Sequence, residues 1–570
     1  MSRVLLLFSA NKRYRAIERS IPFGPRLASN EHLKSPTRIS RELTGMDISQ
    51  LIEVLSKPNA YPFPVESIEV RQTHISAVFL AGSCVYKVKK PVNPGFLDFT
   101  TLESRRHFCE EEVRLNRRLA PEVYLGVVPV VREYDALKFE GKGEVVEWAV
   151  KMRRLPDQAT LLEQLHRDKV APGVVRDLAE RIASFHQQSE SSERIASNGR
   201  FELVSRQIME VFDRAEAMIG TTVSPAVFYR TKSLSQQTLS RFRDLIVKRA
   251  ERHIPRDCHG DLHLDHIYFF PDKKAPANIV IIDCIEFNEQ FRFIDPVADM
   301  AFTFMDFEFH GRRDLARIFA DAYFAASGDS DGRLLLPLYT SYRATVRGMV
   351  EGLELAEAEI SKAEKSAAII RARAHWLLAL SESESPSRKP CLLLVAGLPG
   401  TGKSTLAHRL AESAGFNVIR SDVVRKELAS IPINERAPDS LYAHEWTERT
   451  YAECLRRVES GLFEGERIIV DATFREEKYR KEFLQAAVRF GVPAAIMICE
   501  SNPQTVRRRL EARKGDASDA DWSVYQHVAA TWENLSESVR QASHVVNAEG
   551  AADQMVNEAF GILRQMGLVQ

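Results

Sequence analysis

Gly397, Leu398, Pro399, Gly400, Thr401, Gly402, Lys403 and Ser404 fill the pattern G-x-x-x-x-G-K-[ST]. Glycines at this spacing let backbone N–H groups curl round phosphate oxygens, and a helix opening at the lysine adds the positive end of its dipole. Lys403 is then in reach of the β- and γ-phosphates, and the Ser404 hydroxyl is placed to ligate Mg²⁺. Thr405 completes the binding stretch. The flanks agree: residues 392–395 are an apolar run of buried-strand length, and Leu406, Leu410 and Ala411 have helical spacing. The chemistry implied is binding of ATP with Mg²⁺.

Three further groups stand where a parallel sheet would place a site. Residues 417–420 read as the next strand, and Asp422 and Arg425 follow as it ends. Asp422 suits the acceptance of a proton from an acceptor hydroxyl, and Arg425 suits an anionic group. The bland alternative is an N-capping aspartate beside a surface arginine. A second apolar run, 468–470, ends in Asp471, placed to hold Mg²⁺ through water. Arg507, Arg508, Arg509 and Arg513 precede a polar stretch at 515–520. A cationic helix leading into a mobile polar loop is what a phosphate-closing lid requires, although arginine runs are also ordinary solvated faces.

A separate set lies upstream. Cys258, His259, Gly260, Asp261, Leu262, His263, Leu264, Asp265 and His266 are followed by an apolar strand over 279–282 that ends in Asp283, and then by Asp295 and Asp299. An Asp in a loop with a second Asp after a further strand is the layout of base and metal ligand in phosphoryl transfer. Further upstream, Val85, Lys87 and Lys89 share one face of an alternating strand over 83–90, and the helix expected over 101–119 carries Glu112. Strand lysines are more often solvated than paired. Asp265, Glu286, Asp306 and Glu308 either line a pocket for a cationic acceptor or form a solvated face, and the latter is preferred.

The elements that must position these groups fall into two patterns. A chain of 570 residues requires several cores, since single cores stop growing near roughly 250–300 residues. Residues 1–45 are rich in Arg, Lys, Pro and Ser with little periodicity, an extension read as disordered or spurious. Residues 46–380 begin with a helix (Ile48, Leu51, Ile52, Val54, Leu55), pass through strands over 67–73, 74–80 and 83–90, and continue as helices over 174–186, 203–218, 234–247, 313–326 and 356–378. Residues 381–390 are polar with two prolines, a linker. From 391 to 570 strands near 391–396, 417–420, 467–471, 494–499 and 544–547 alternate with helices. That order predicts a doubly wound three-layer α/β/α sheet with nucleotide at the strand C-termini.

Composition excludes little but is consistent. Lys and Arg number 78, as do Asp and Glu, so no global charge favours nucleic acid or membrane. No apolar run approaches the roughly 20 residues of a bilayer span. Seven scattered cysteines without a C-x-x-C pair read as free thiols of a reducing, cytoplasmic compartment.

The segment His259–Gly260–Asp261–Leu262–His263, with Ile281, Ile282, Asp283 and the stretch from Asp295 to Asp299, resembles the aminoglycoside phosphotransferases, a protein-kinase-like bilobal fold. The resemblance spans about 46–380. It implies Asp261 as catalytic base, Asp283 as principal Mg²⁺ ligand, Lys87 with Glu112 as the phosphate-positioning ion pair, and His259 and Asp299 as loop-bracing residues. It departs at His266, which stands at the family's metal-binding Asn, because imidazole suits Mg²⁺ poorly. Residues 391–570 resemble small P-loop kinases: gluconate kinase, chloramphenicol phosphotransferase, zeta toxin and the polynucleotide 5′-kinase domain. That resemblance implies Asp422 and Arg425 at the acceptor and Arg509 and Arg513 as lid arginines. The whole chain resembles bacterial bifunctional aminoglycoside phosphotransferase/ATP-binding proteins. The expectation is an ATP- and Mg²⁺-dependent phosphotransferase acting on a small-molecule hydroxyl. The alternatives are an ATP-hydrolysing switch with a degenerate sensor domain, or a nucleic-acid end kinase, which neutral charge disfavours.

Overall fold

The computed structural model describes residues 48–355, apart from 74, 94, 96 and 135, together with 361–512 and 518–570. The extension expected over 1–45, His74 and Arg513, expected as a lid arginine, lie outside them. Two compact units result: one holds the described residues to 203 with 245–306 and 314–333, the other 204–244, 307–313 and 334–570.

The first unit opens with the helix Ile48–Leu55 and a six-stranded antiparallel sheet. Its strands are β1 Ile68–Gln72, β2 Ser76–Ala81, β3 Cys84–Lys89, β4 Tyr124–Glu133, β5 Ala136–Phe139 and β6 Glu144–Arg153, in the order β1-β2-β3-β6-β4-β5. Both faces are covered, and this decides the fate of the strand lysines. Tyr86 and Val88 of β3 pack with Phe79, Phe139 and the opening helix. Val85, on the opposite face, packs with Cys109 and Val113 of the helix Leu102–Asn116. By the period-2 alternation of a strand, Lys87 and Lys89 turn to that same covered face. The helix starts where Thr101 accepts from the Ser104 N–H at 3.1 Å, a side-chain N-cap.

Beyond the sheet the unit is mainly helical, with Leu161–His166 and Pro172–Gln188 among its helices. It carries two small strand pairs: β7 Arg256–Asp257 with β10 Phe293–Ile294, and β8 Ile267–Phe269 with β9 Ile279–Ile281. The loop from Cys258 to His266 is strung between β7 and β8, and Asp283 follows two residues after β9. The strands β4, β5 and β6 were not read in the sequence.

The second unit is built on a five-stranded parallel sheet: β11 Cys391–Ala396, β12 Asn417–Arg420, β13 Arg467–Asp471, β14 Ala494–Glu500 and β15 Ser543–Asn547. The order is β12-β13-β11-β14-β15, every neighbour parallel. β11 is buried along its whole length, as a central strand covered on both faces must be. Its Leu393 and Val395 meet Leu406, Leu410 and Leu563 in one core.

The helices Leu336–Glu354 and Lys362–Ser383 fall in the same compact unit as this sheet. They run antiparallel, with Ser341 Oγ donating to the Ala379 carbonyl at 2.8 Å. Gly348 makes the close approach possible, since a Cβ there would stand 2.8 Å from the Trp376 ring. The polar stretch after them is tied down, because the Arg467 guanidinium donates to the Pro386 and Lys389 carbonyls at 3.0 and 3.2 Å. Among the described residues no helix is long and apolar enough to cross a membrane.

Candidate functional sites

In the second unit the loop after β11 turns through Gly397 (φ +136°) and Gly402 (φ +105°), the latter opening the helix Lys403–Ala414. A Cβ on Gly397 would lie 2.6 Å from the Cys499 carbonyl, so the loop depends on glycine there for both conformation and space. Thr401 Oγ1 and Lys403 Nζ donate to the Leu398 carbonyl at 2.8 and 2.9 Å, which draws Lys403 back over its own loop. Strand register pairs Val395 with Asp471 and so delivers Asp471 beside Ser404. Ser404 Oγ donates to Asp471 Oδ2 at 2.6 Å. Arg420, at the end of β12, stands 3.3 Å from both partners. Burial pushes the Asp471 carboxyl up, against the pull of Lys403 and Ser404. Two hard oxygen donors in contact at the loop's mouth fit Mg²⁺, which takes carboxylate and hydroxyl oxygen.

A cavity of about 900 Å³ opens from this point, within the size of ordinary small-molecule sites, roughly 300–1,000 Å³. Pro399, Gly400, Gly402, Lys403, Ser404 and Thr405 line it. Gly397, Leu398 and Thr401 shape the loop from behind. Arg509, on the helix Pro503–Ala512, also lines the cavity and donates to the Ala548 carbonyl at 2.8 Å. Asp422 and Arg425 line the same cavity.

Neither bland reading of these two residues describes the structure. Asp422 lies in the first turn of the helix Ser421–Leu428, whose N-cap is Arg420, and Arg425 is only 6% exposed. Arg425 Nη1 donates to the Leu441 carbonyl at 2.6 Å, its guanidinium lies 4.9 Å from the centre of the Tyr442 ring, and its buried Nε has no hydrogen-bond partner among the described residues. The polar stretch after the helix Pro503–Ala512 is anchored where it is described. Asp519 takes the Lys426 ammonium at 3.2 Å, the Ala437 N–H at 3.0 Å and the Tyr442 hydroxyl at 2.9 Å. Arg420, Tyr442, Asp519 and the cavity-lining Arg475 were not singled out in the sequence. For Arg420 the signal was there: a basic residue at the end of a strand, directly before Ser421 and Asp422.

In the first unit, Lys87 Nζ reaches Glu112 Oε1 at 2.8 Å and Asp283 Oδ1 at 2.9 Å. Lys89 Nζ reaches Glu112 Oε2 at 2.8 Å and is bonded to Glu286. Burial opposes the charge on Lys87, but Asp283 and Glu112 outweigh it and hold the ammonium well above its usual range. Burial likewise opposes ionisation of Glu112, and the two lysines outweigh it. At Glu286 burial prevails and the carboxyl is raised. The solvated-face reading therefore fails for Glu286, and also for Asp306, whose buried Oδ2 accepts from the Leu264 N–H at 2.8 Å. Both carboxylates are spent inside the fold.

The loop itself is braced from two sides. Asp299 accepts from the His259 and Gly260 N–H groups, each at 2.8 Å, and His186 Nε2 stands 3.1 Å away. His259 Nε2 lies 3.0 Å from the Ile282 carbonyl. Asp295 receives Arg249 Nε at 2.7 Å, a structural role. Burial, with the neighbouring His263, pushes His266 down to about 4. Lys87, Glu112, His266 and Asp283 line a cleft of about 240 Å³.

Comparison with known proteins sets these two units in context. An AAA domain family matches residues 392–535, from β11 to beyond the helix Pro503–Ala512. Uncharacterized protein Rv2004c of Mycobacterium tuberculosis H37Rv is 30% identical over 511 residues, 89% of this chain and 97% of its own length. Uncharacterized protein Mb2027c of Mycobacterium bovis matches to the same extent. This chain belongs to their family. Both units are therefore shared, since the match runs well beyond the AAA region. Among solved structures, a sugar kinase from Janibacter is 18% identical, covering 32% of this chain and 99% of its own, with TM-score 0.26. A gluconokinase from Sinorhizobium meliloti is 22% identical, covering 32% and 95%, with TM-score 0.24.

Proposed function

We propose that the second unit transfers the γ-phosphoryl group of ATP to a hydroxyl of a small molecule. The observation that carries this reading is one cavity lined by the phosphate loop, Ser404, Asp471, Asp422 and Arg425 together. Arg425, fixed through Leu441 and Tyr442, holds the acceptor. Asp422 accepts the hydroxyl proton as the acceptor oxygen bonds to the γ-phosphorus and the bond to the β–γ bridging oxygen breaks, releasing ADP. Lys403, with Arg509 across the loop, stabilises the charge that spreads over the transferring oxygens. Ser404 and Asp471 would hold Mg²⁺, which supplies charge neutralisation at the β- and γ-phosphates.

The test is label transfer from γ-labelled ATP into a metabolite pool. Transfer is expected in the wild type and lost in Lys403→Met and in Asp422→Asn, with ATP binding kept in the latter. Label released only as inorganic phosphate, whatever pool is supplied, would refute this reading and favour the ATP-hydrolysing switch.

For the first unit we propose the sensor reading: a kinase-like module that does not transfer phosphate. The Lys87–Glu112 pair supports the kinase-like layout. His266, however, stands at the position of the resembling family's metal-binding Asn, and imidazole suits Mg²⁺ poorly. One nucleotide bound per full-length chain is the expected stoichiometry, and two would overturn this reading.

A further inference from the structure

Arg425 is a deeply buried cation on the wall of the ATP cavity, and among the described residues it has no counter-ion. Nη1 donates to the Leu441 carbonyl at 2.6 Å, whereas Nε and Nη2 have no acceptor and no carboxylate forms an ion pair with the guanidinium. Asp422, one turn earlier on the helix Ser421–Leu428, is no exception. The other deeply buried arginines of this unit are satisfied from within. Arg480 pairs with Glu477 at 2.9 Å and reaches the Phe474 and Glu533 carbonyls at 2.7 Å. Arg467 donates to the Pro386, Lys389 and Leu568 carbonyls at 3.0, 3.2 and 3.0 Å. A buried charge is costly unless it is paired.

The guanidinium is held in place all the same. It lies 4.9 Å from the centre of the Tyr442 ring, and the Tyr442 hydroxyl donates to Asp519 Oδ2 at 2.9 Å. Asp519 also takes the Ala437 N–H at 3.0 Å and the Lys426 ammonium at 3.2 Å. Three segments thus converge on one carboxylate, and that carboxylate fixes the ring behind the guanidinium. With Nη1 spent on Leu441, the donors left over are the adjacent pair Nε and Nη2. Two parallel N–H donors match the oxygens of a carboxylate or a phosphate.

We propose that the acceptor carries an oxyanion, a carboxylate or a phosphate group, besides the hydroxyl that is phosphorylated. Arg425 binds that group through Nε and Nη2, and Tyr442 and Asp519 are positioning residues that hold the guanidinium for it. The inference rests on the phosphotransfer reading of the second unit. Asp422 and Arg425 are three residues apart on one helix, a spacing that sets their Cβ atoms about 5–6 Å apart on one face. Hydroxyl and oxyanion can therefore belong to one small molecule. A neutral sugar or a cationic amine leaves the buried guanidinium unpaired and is discriminated against.

The test uses the full-length chain with γ-labelled ATP and Mg²⁺. A metabolite pool is divided at neutral pH on an anion exchanger, and the retained fraction is cleared of nucleotides. Label is expected in compounds of the retained fraction and not in those of the unretained one. Phosphatase treatment before the assay separates the two oxyanions: carboxylate acceptors survive it and phosphate acceptors are lost. For the acceptor so found, Arg425→Met should raise KM about 10- to 150-fold. Its preference over the uncharged analogue, amide or free alcohol, should fall close to unity in that variant. Tyr442→Phe removes only the hydroxyl of a half-exposed side chain and should raise the same KM about 2- to 10-fold, a loss carried by KM rather than by kcat. Label entering the unretained fraction equally, a charge preference kept in Arg425→Met, or a KM unmoved by Tyr442→Phe would overturn the assignment and leave phosphotransfer standing. Label in neither fraction would refute phosphotransfer itself, and this inference with it. The wild-type fractionation and Tyr442→Phe are decisive even where the buried Arg425→Met variant does not fold.

Discussion

Asp471→Asn isolates one charge in the ATP site without changing its shape. In the wild type, Asp471 Oδ2 accepts from Ser404 Oγ at 2.6 Å and stands 3.3 Å from Arg420 Nε, in a side chain only 5% exposed. The amide keeps an oxygen for Ser404 but gives up the charge that Arg420 meets and that a bound Mg²⁺ would require. A hydrogen bond to a charged group is worth about 1.5–3 kcal/mol, and about 1.4 kcal/mol is tenfold. Mg²⁺ should therefore be needed at about 10- to 150-fold higher concentration for half-maximal ATP turnover. Binding of ATP without metal should change little, because the glycine loop and Lys403 are untouched. The assay is ATP turnover against free Mg²⁺ at saturating ATP, with metal-free nucleotide binding measured by calorimetry. A Ser404→Ala, Asp471→Asn double variant tests the pairing: the two residues share one contact, so their losses should fall short of additive. An unchanged Mg²⁺ requirement in Asp471→Asn, or strict additivity in the double variant, would refute the placement of the metal at this pair.

Three further outcomes follow from buried groups. Gly397→Ala puts a Cβ 2.6 Å from the Cys499 carbonyl at φ +136°. Its backbone strain of about 1–3 kcal/mol, with a clash no rotamer relieves, should lower the melting temperature and abolish nucleotide binding; wild-type binding would contradict the loop geometry. Lys89→Met strips Glu286 of its bonded lysine and leaves Glu112 with Lys87 alone, so unfolding should be easier by about 3–5 kcal/mol, read from denaturant midpoints. Glu308 is pushed up to about 7 by burial and then by the Glu382 charge, against Arg313 at 3.2 Å and Lys389. A carboxyl raised in the folded state contributes stability that is full below its ordinary value of 4.5 and is lost as pH rises through about 7. Glu308→Gln should flatten the fall in melting temperature across that window, and an unaltered slope would count against it.

What the sequence disclosed depended on how local the governing contacts are. The P-loop is a stretch of eight adjacent residues whose backbone does the work, so its glycines, lysine and serine are readable before any fold is known. The five parallel strands of the second unit were readable for a similar reason: each is a short apolar run closed by a turn, and β11 is buried along its whole length. Where side chains from distant segments decide, the reading weakened. Glu286 looks like any solvated acid until β3 delivers Lys89 to it from 197 residues away. Asp519 looks like part of a mobile loop until Lys426 and Tyr442 close on it. The grouping of the helices Leu336–Glu354 and Lys362–Ser383 with the parallel sheet has the same origin. The prolines and serines at 381–390 mark a break in helix, but a break in secondary structure is not a break in packing. The apolar faces around Trp376 and Leu380 have to be buried against something, and sequence periodicity names the face without naming its partner. His266 is the reverse case. Its departure from an oxygen ligand is visible from its position alone, while its contacts with the Asp261 carbonyl at 3.0 Å and with Asp283 Oδ2 at 3.5 Å emerge only when the loop is folded.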